Sequence, residues 1–123
     1  MQNIEIPNED IPPDQVIGKL VLVGISFYTS TGTFVEQYQT NGIAEKVSGD
    51  LLYLRRSNGA SFAVPYDPNH IKRAVPGIYR EKTTGAEIVN PDFLSQWRID
   101  TIDDLEYIER LKEVGFAGWG KEE

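Results

Sequence analysis

The sequence predicts a mainly β protein: a small antiparallel barrel of the SH3-like kind, or a rolled sheet, with one C-terminal α-helix. Two observations carry this prediction. Short runs of β-branched and aromatic residues are separated by turn signals at close spacing, and helical periodicity occurs only near the C-terminus. The chain has 123 residues, of which 40% are hydrophobic, so one domain with its own core is expected.

The first predicted strand covers residues 19–29 and ends at the turn signal Ser30-Thr31-Gly32. The chain then returns through residues 33–47, where Asn41-Gly42 interrupts the alternation. A glycine inside a strand pattern often marks a bulge or bend. A bent strand would help the sheet to curl.

Further strands follow at the same close spacing, and Asn58-Gly59 is the strongest hairpin signal among them. Residues 71–75 have no clear pattern. The predicted strands are 51–56, 60–64, 78–82, 86–89 and 92–99.

The ends of the chain differ from its centre. Residues 1–15 are rich in proline and acids and predict an extended arm. Asp103 and Glu106 form a capping-box pattern that begins a helix of about residues 103–114, which Gly115 ends. The predicted organisation is an arm (1–15), a β domain (16–100), and an acidic helix with an aromatic tail (101–123) packed on that domain.

Charge is unevenly distributed along the chain. The net charge is −7, made up of −4 in residues 1–15 (no bases, four acids), +1 in residues 16–100 (nine bases, eight acids) and −4 in residues 101–123 (three bases, seven acids). Acidic ends argue against nucleic acid as a partner, because phosphate binding depends on Lys and Arg. The sequence shows no secretory signal or membrane span, and a cytoplasmic location is expected.

Several short motifs resemble those of a set of small uncharacterised bacterial β-proteins. The pattern is Gly77-Ile78-Tyr79-Arg80, Thr84-Gly85, Pro91-Asp92-Phe93 and Trp97, within a similarity over residues 17–99. The resemblance implies a bacterial origin and a compact β-fold. It brings no catalytic residue.

The sequence lacks the groups of residues that common catalytic, metal-binding and phosphate-binding sites require. His70 is the only histidine, there is no cysteine, and no glycine-rich loop precedes a Lys-Ser or Lys-Thr pair. The sequence therefore predicts no catalytic residue, no metal site, no cofactor and no enzyme activity. The one alternative left open is a pair of carboxylates meeting across strands, drawn from Glu36, Glu45, Glu81 and Glu87.

Two features are candidate binding surfaces. One feature is a set of basic residues that lie near tyrosines in the sequence, an arrangement that can bind single-stranded nucleic acid. The residues are Arg55, Arg56, Lys72, Arg73, Arg80 and Lys82, with Tyr53, Tyr66 and Tyr79. Pairing of these bases with surface acids is the preferred explanation, and a further hypothesis is that the acidic ends fold back on this basic face. The glycine-spaced aromatics of the tail either anchor a partner or pack on their own domain. The candidate partner-binding residues are Arg55, Arg56, Tyr79, Arg80, Phe116 and Trp119.

The leading functional hypothesis is a non-enzymatic protein-interaction module with an unknown protein partner, in concrete form an immunity or antitoxin-like protein. The alternative is binding of a small ligand or of single-stranded nucleic acid by the barrel face. A carboxylate-based enzyme ranks third. The oligomeric state stays open.

Overall fold

The computed structural model describes residues 11–68, 71–81, 83–100 and 105–116. These described residues form two helices and eight strands, and the prediction of a mainly β protein with a C-terminal helix is confirmed. The elements are α1 (Pro13–Val16), β1 (Leu20–Tyr28), β2 (Phe34–Ser48), β3 (Leu51–Arg55), β4 (Ser61–Pro65), β5 (Ile71–Arg73), β6 (Ile78–Arg80), β7 (Glu87–Val89), β8 (Phe93–Ile99) and α2 (Leu105–Val114).

The main sheet has six strands in the order β4-β3-β2-β1-β8-β5, and β6 and β7 form a separate two-stranded sheet. Hairpin turns join β1 to β2, β2 to β3 and β3 to β4, as the turn signals predict. Within the described residues the edge strands β4 and β5 do not pair with each other, so the sheet does not close into a barrel. The rolled sheet with a C-terminal helix is the predicted alternative that fits.

The described strands pair antiparallel, as expected, except at one place. Strand β8 pairs with β1 in parallel, from Val21 opposite Phe93 to Phe27 opposite Ile99. The start of this pairing is held by Asp92, whose carboxylate accepts a hydrogen bond from the Leu20 amide (2.9 Å) and whose amide donates to the Leu20 carbonyl (2.9 Å). The chain reaches this side of β1 through β5 and the β6–β7 hairpin, which turn it so that β8 runs in the direction of β1.

The expected extended arm is wrong for residues 13–16, which form the short helix α1. Pro13 occupies its first turn, where a proline costs no hydrogen bond. Ile11 and Val16 are buried in the core. The Ile11 amide also donates to the Pro68 carbonyl (2.9 Å), so this segment closes one end of the rolled sheet.

Strand β2 is irregular at two places: its register with β1 shifts next to Val35, and its register with β3 shifts between Ala44 and Lys46. Gly42 has a different role from the predicted bend. A Cβ atom at Gly42 would lie 2.9 Å from the Arg55 carbonyl oxygen, so the glycine allows β2 and β3 to approach closely. The bulge that follows bends the strand.

Helix α2 packs on strand β4 through Ile108 and Leu111, both buried. The helix ends at Gly115, as predicted, while the proposed capping residue Asp103 lies outside the described residues. In the described part of the chain, no helix is long and apolar enough to cross a membrane. The largest fully buried side chains are Phe27, Phe62, Phe93, Ile11, Ile25, Leu52, Leu54, Ile108, Val16, Val21, Val23 and Val64.

Candidate functional site

The β6–β7 hairpin lies outside the main sheet and is fastened to it by polar contacts. Glu81, which is 4% exposed, accepts hydrogen bonds from the Asn41 side-chain amide (2.9 Å) and from the Thr84 hydroxyl (2.7 Å). The Thr83 hydroxyl oxygen accepts a hydrogen bond from the Gln39 backbone amide (2.9 Å). These contacts bind the hairpin to the edge of β2 and hold it in one position.

The outward side of this hairpin carries exposed apolar side chains. Ile78 and Val89 are direct cross-strand partners and are 67% and 58% exposed. Val75, which immediately precedes the hairpin, is 71% exposed. Ile88 is buried because successive strand residues point to opposite sides, so the hairpin turns Ile88 to the body and Ile78 and Val89 to solvent. We name Val75, Ile78 and Val89 the hairpin face.

Two of the predicted binding residues lie on this hairpin, Arg80 on the same side as Ile78 and Tyr79 on the opposite side, where it pairs with Ile88. Arg80 pairs with Glu87 across the strands at 3.2 Å and donates to the Gly85 carbonyl (3.2 Å). The Tyr79 hydroxyl donates to the Val75 carbonyl (2.6 Å) and so ties the approach segment to the hairpin. The Arg80–Glu87 ion pair thus lies on the same side of the hairpin as the exposed side chains of Ile78 and Val89.

The other two predicted arginines lie at the end of β3 in the main sheet. Arg55 forms an ion pair with Glu45, and both side chains are about half exposed. The Arg56 guanidinium stacks on the Phe62 ring at 4.2 Å and donates to the Lys112 carbonyl at 2.7 Å. Arg56 therefore holds the C-terminal end of α2, where a cation is favourable.

A second set of contacts strengthens this attachment of the helix. Lys112 forms an ion pair with Glu36 at 2.6 Å, and its carbonyl accepts a hydrogen bond from the Tyr38 hydroxyl (3.2 Å). The hydrogen bond with Glu36 raises the pKa of Lys112 above its ordinary value. The Tyr38 and Phe62 rings lie in contact, with centroids 6.3 Å apart. These residues dock the helix on the sheet, and Arg56 and Lys112 also line a wide, shallow surface cavity of about 620 Å³ together with Glu109, Arg110 and Glu113.

The structure places the first tail aromatic inside the protein. Phe116 is 4% exposed, and its amide donates to the Ala63 carbonyl (2.6 Å). It belongs to the core, so it is not part of an accessible binding surface in this structure. Trp119 lies outside the described residues.

The four carboxylates considered as catalytic pairs have separate polar partners. Glu36 pairs with Lys112, Glu45 with Arg55 and Glu87 with Arg80, while Glu81 accepts from Asn41 and Thr84. Among the described residues no three His, Cys, Asp or Glu side chains form a group suited to a metal ion. His70 lies outside the described residues.

The basic residues considered for nucleic acid are distributed over different parts of the fold. Arg55 is on β3, and Lys72 and Arg73 are on β5, with three strands between them in the sheet order. Arg80 is on the separate hairpin. Arg73 donates to the Gln15 side chain (2.7 Å), and the Tyr66 hydroxyl donates to the Ile11 carbonyl. Burial raises the pKa of Tyr66, with a further contribution from Asp14.

The chain matches no known protein family, no curated protein and no solved structure. The arrangement of its own side chains is therefore the basis for a functional proposal. Sequence reasoning found Tyr79 and Arg80 but missed the aliphatic residues beside them. The available signal was the alternation of Ile78 with Arg80 and of Glu87 with Val89, which puts all four on one side of a hairpin.

Proposed function

We propose that this protein is a non-enzymatic protein-interaction module and that the hairpin face is its contact surface. The observation that carries the proposal is the pair Ile78 and Val89, both mostly exposed and directly opposite each other on a hairpin fastened by the buried Glu81. Of the six large hydrophobic residues exposed in the described chain, three lie within residues 75–89. A contiguous apolar patch on the surface can mark a site of protein–protein interaction.

The free energy gained by burying aliphatic side chains supports a binding role for so small a surface. Burial of one aliphatic side chain of this size contributes about 1.5–3 kcal/mol. Because the hairpin is already held in place, little conformational entropy is lost when a partner covers it. The rim pair Arg80–Glu87 would help to set the orientation of the partner.

Charge defines the class of partner that we propose. The net charge of −7 would attract a basic protein and speed its association. An acidic inhibitor of a basic toxin, as in immunity and antitoxin proteins, is one concrete form of this proposal. We propose a cytoplasmic location for it.

The first experiment compares the hairpin face with a matched exposed position. Tagged full-length protein and the double variant Ile78→Thr/Val89→Thr are used to capture proteins from lysate of the source cell. Threonine keeps the β-branched shape and strand preference of the residues that it replaces. Phe34→Thr, at a position 54% exposed on β2, is the control.

We expect one basic protein to be retained in stoichiometric amount by the parent and by Phe34→Thr. With that partner purified, the double variant should bind at least about tenfold more weakly, which corresponds to about 1.4 kcal/mol. Equal affinity of parent and double variant would show that the hairpin face is not the contact surface. Recovery of nucleic acid in place of protein would contradict the proposal as a whole.

A further inference from the structure

A shallow groove lies on the solvent side of the main sheet, away from the hairpin face. Strand β1 lies between β2 and β8, so each of its outward residues has a neighbour on both of these strands. Gly24 is opposite Gln39 on β2 and Gln96 on β8, and Ser26 is opposite Gln37 and Arg98. The groove has a volume of about 330 Å³, and Gly24 is one of the residues that line it.

The fold itself gives no reason for a glycine at position 24. Gly24 is not among the residues with a positive φ. A Cβ atom added there would meet only the Cγ atom of Gln96, at 4.0 Å, which is ordinary van der Waals contact. By contrast, Gly42 and Gly115 approach other backbone atoms too closely for any side chain.

A glycine in the interior of a strand has an energetic cost. It destabilises the strand by about 0.5–1 kcal/mol relative to alanine. Where packing does not require it, a strand glycine often marks a place where a ligand comes close to the backbone. The effect of Gly24 is to keep the centre of this surface open.

The groups around Gly24 define the chemistry of a ligand. Ser26 and Gln37 each carry groups that donate and accept hydrogen bonds, and their mutual contact is long, at 3.4 Å. The one charged neighbour, Arg98, is already paired with Asp100 at 2.5 Å and stacks on the Tyr28 ring at 3.8 Å. The surface thus favours an uncharged polar ligand over an anion.

We propose that this groove binds one ring of an uncharged polyhydroxylated ligand, that is, a saccharide. Sugar hydroxyls donate and accept hydrogen bonds, as do side-chain amides and the serine hydroxyl, so each group can be satisfied in either direction. The volume of about 330 Å³ is at the lower end of the range for ligand sites and suits a single ring. Affinity in the millimolar range is expected, because the groove is open.

The test is a titration of the isotope-labelled full-length protein with the methyl glycosides of glucose, galactose, mannose and N-acetylglucosamine, followed by NMR. At least one glycoside should shift the backbone amides of Gly24 and Ser26 and the side-chain amides of Gln37 and Gln96. In Gly24→Val the added side chain extends into the groove, and affinity for the glycoside should fall at least about tenfold, which corresponds to about 1.4 kcal/mol. Ser61→Val introduces the same side chain at an exposed position of β4 and should leave affinity unchanged.

Two further measurements separate lost binding from lost folding. Gly24→Val should melt at or above the temperature of the parent, because valine favours a strand and its Cβ atom would meet only the Cγ atom of Gln96, at 4.0 Å. Ser26→Ala removes the hydroxyl without filling the groove and should weaken binding about threefold or more, on the scale of one neutral hydrogen bond. The double variant Ile78→Thr/Val89→Thr should bind the glycoside normally, so this proposal can fail independently of the hairpin face.

Three results would each overturn the saccharide proposal. The first is that no glycoside shifts the resonances of the groove. The second is that the shifts persist with unchanged affinity in Gly24→Val. The third is that inorganic phosphate produces the same shifts at lower concentration than any glycoside, which would show an anion site.

Discussion

Replacement of Gly115 by alanine gives the most demanding test of how helix α2 is joined to the sheet. Gly115 has a φ of 74°, in the left-handed region that favours glycine, and it follows directly after the helix. A Cβ atom at this position would lie 2.1 Å from the Ala63 carbonyl oxygen and 2.8 Å from the Ala63 amide nitrogen. Both are backbone atoms of β4, so no side-chain rotation relieves the overlap.

The expected loss of stability can be built from three parts. The left-handed conformation costs a non-glycine residue about 1–2 kcal/mol. Displacement of the chain from β4 breaks the hydrogen bond from the Phe116 amide to the Ala63 carbonyl, worth about 1 kcal/mol. It also withdraws Phe116 from the core, at about 1.5–3 kcal/mol. The total is about 4–6 kcal/mol, a large share of the 5–15 kcal/mol that stabilises a typical domain.

The assay is urea denaturation of Gly115→Ala and of a matched control, Gly59→Ala, followed by tryptophan fluorescence. Gly59 also has a positive φ, of 86°, but nothing lies within 4 Å of an added Cβ atom. The control should therefore lose only the conformational part, about 1–2 kcal/mol. If Gly115→Ala loses no more than Gly59→Ala, the close approach to β4 does not contribute to stability and the argument is refuted.

Three further variants test the contacts that hold the separate parts together. Arg56→Met should destabilise the protein by about 2 kcal/mol, because the last carbonyls of α2 lose a charged donor, and hydrogen exchange in α2 should quicken more than in β1. Glu81→Ala should cost about 1–3 kcal/mol by leaving the Asn41 amide unpaired, with amide exchange in the β6–β7 hairpin as the measurement; unchanged exchange there would mean that the contact does not fasten the hairpin. Lys112→Met should cost about 1 kcal/mol at neutral pH. Because Glu36 raises the pKa of Lys112, this stabilisation is complete below the ordinary value of 10.5 and is lost as pH rises through the raised value, so parent and variant should converge in strongly alkaline urea titrations.

The hairpin turns and the end of helix α2 could be predicted from the sequence, because the residues at those positions determine the backbone conformation there. Asn58-Gly59 and Ser30-Thr31-Gly32 supply the backbone conformations that hairpins need, and both turns occur where the sequence predicts them. The end of helix α2 is predicted for the same reason, because Gly115 readily adopts the left-handed conformation that often ends a helix. The helix α1 was missed because prolines suit both an extended segment and the first turn of a helix.

The features that depend on distant neighbours could not be read in this way. Alternation along β8 indicates which side is buried but not which strand lies next to it, so the parallel partner β1 was unpredictable. For the same reason, the sequence did not predict that Gln37 and Gln39 of β2 lie with Gln96 of β8 around Gly24. Arg56 was found as a candidate for binding, yet its role depends on where α2 docks.

The parallel pairing of β1 and β8 also governs how the chain must fold. Leu20 and Asp92, which open this ladder, are separated by 72 residues in sequence. Non-local contacts of this kind slow folding, because the entropic cost of closing a long loop comes before the stabilisation that strand pairing provides. During synthesis β1 and β2 emerge and pair first. The other edge of β1 stays unpaired until β8, which is synthesised much later, has emerged. A nascent or truncated chain that ends before β8 therefore presents the edge of Val21, Val23 and Ile25 to its neighbours, and only completion of the C-terminal third protects the protein from aggregation.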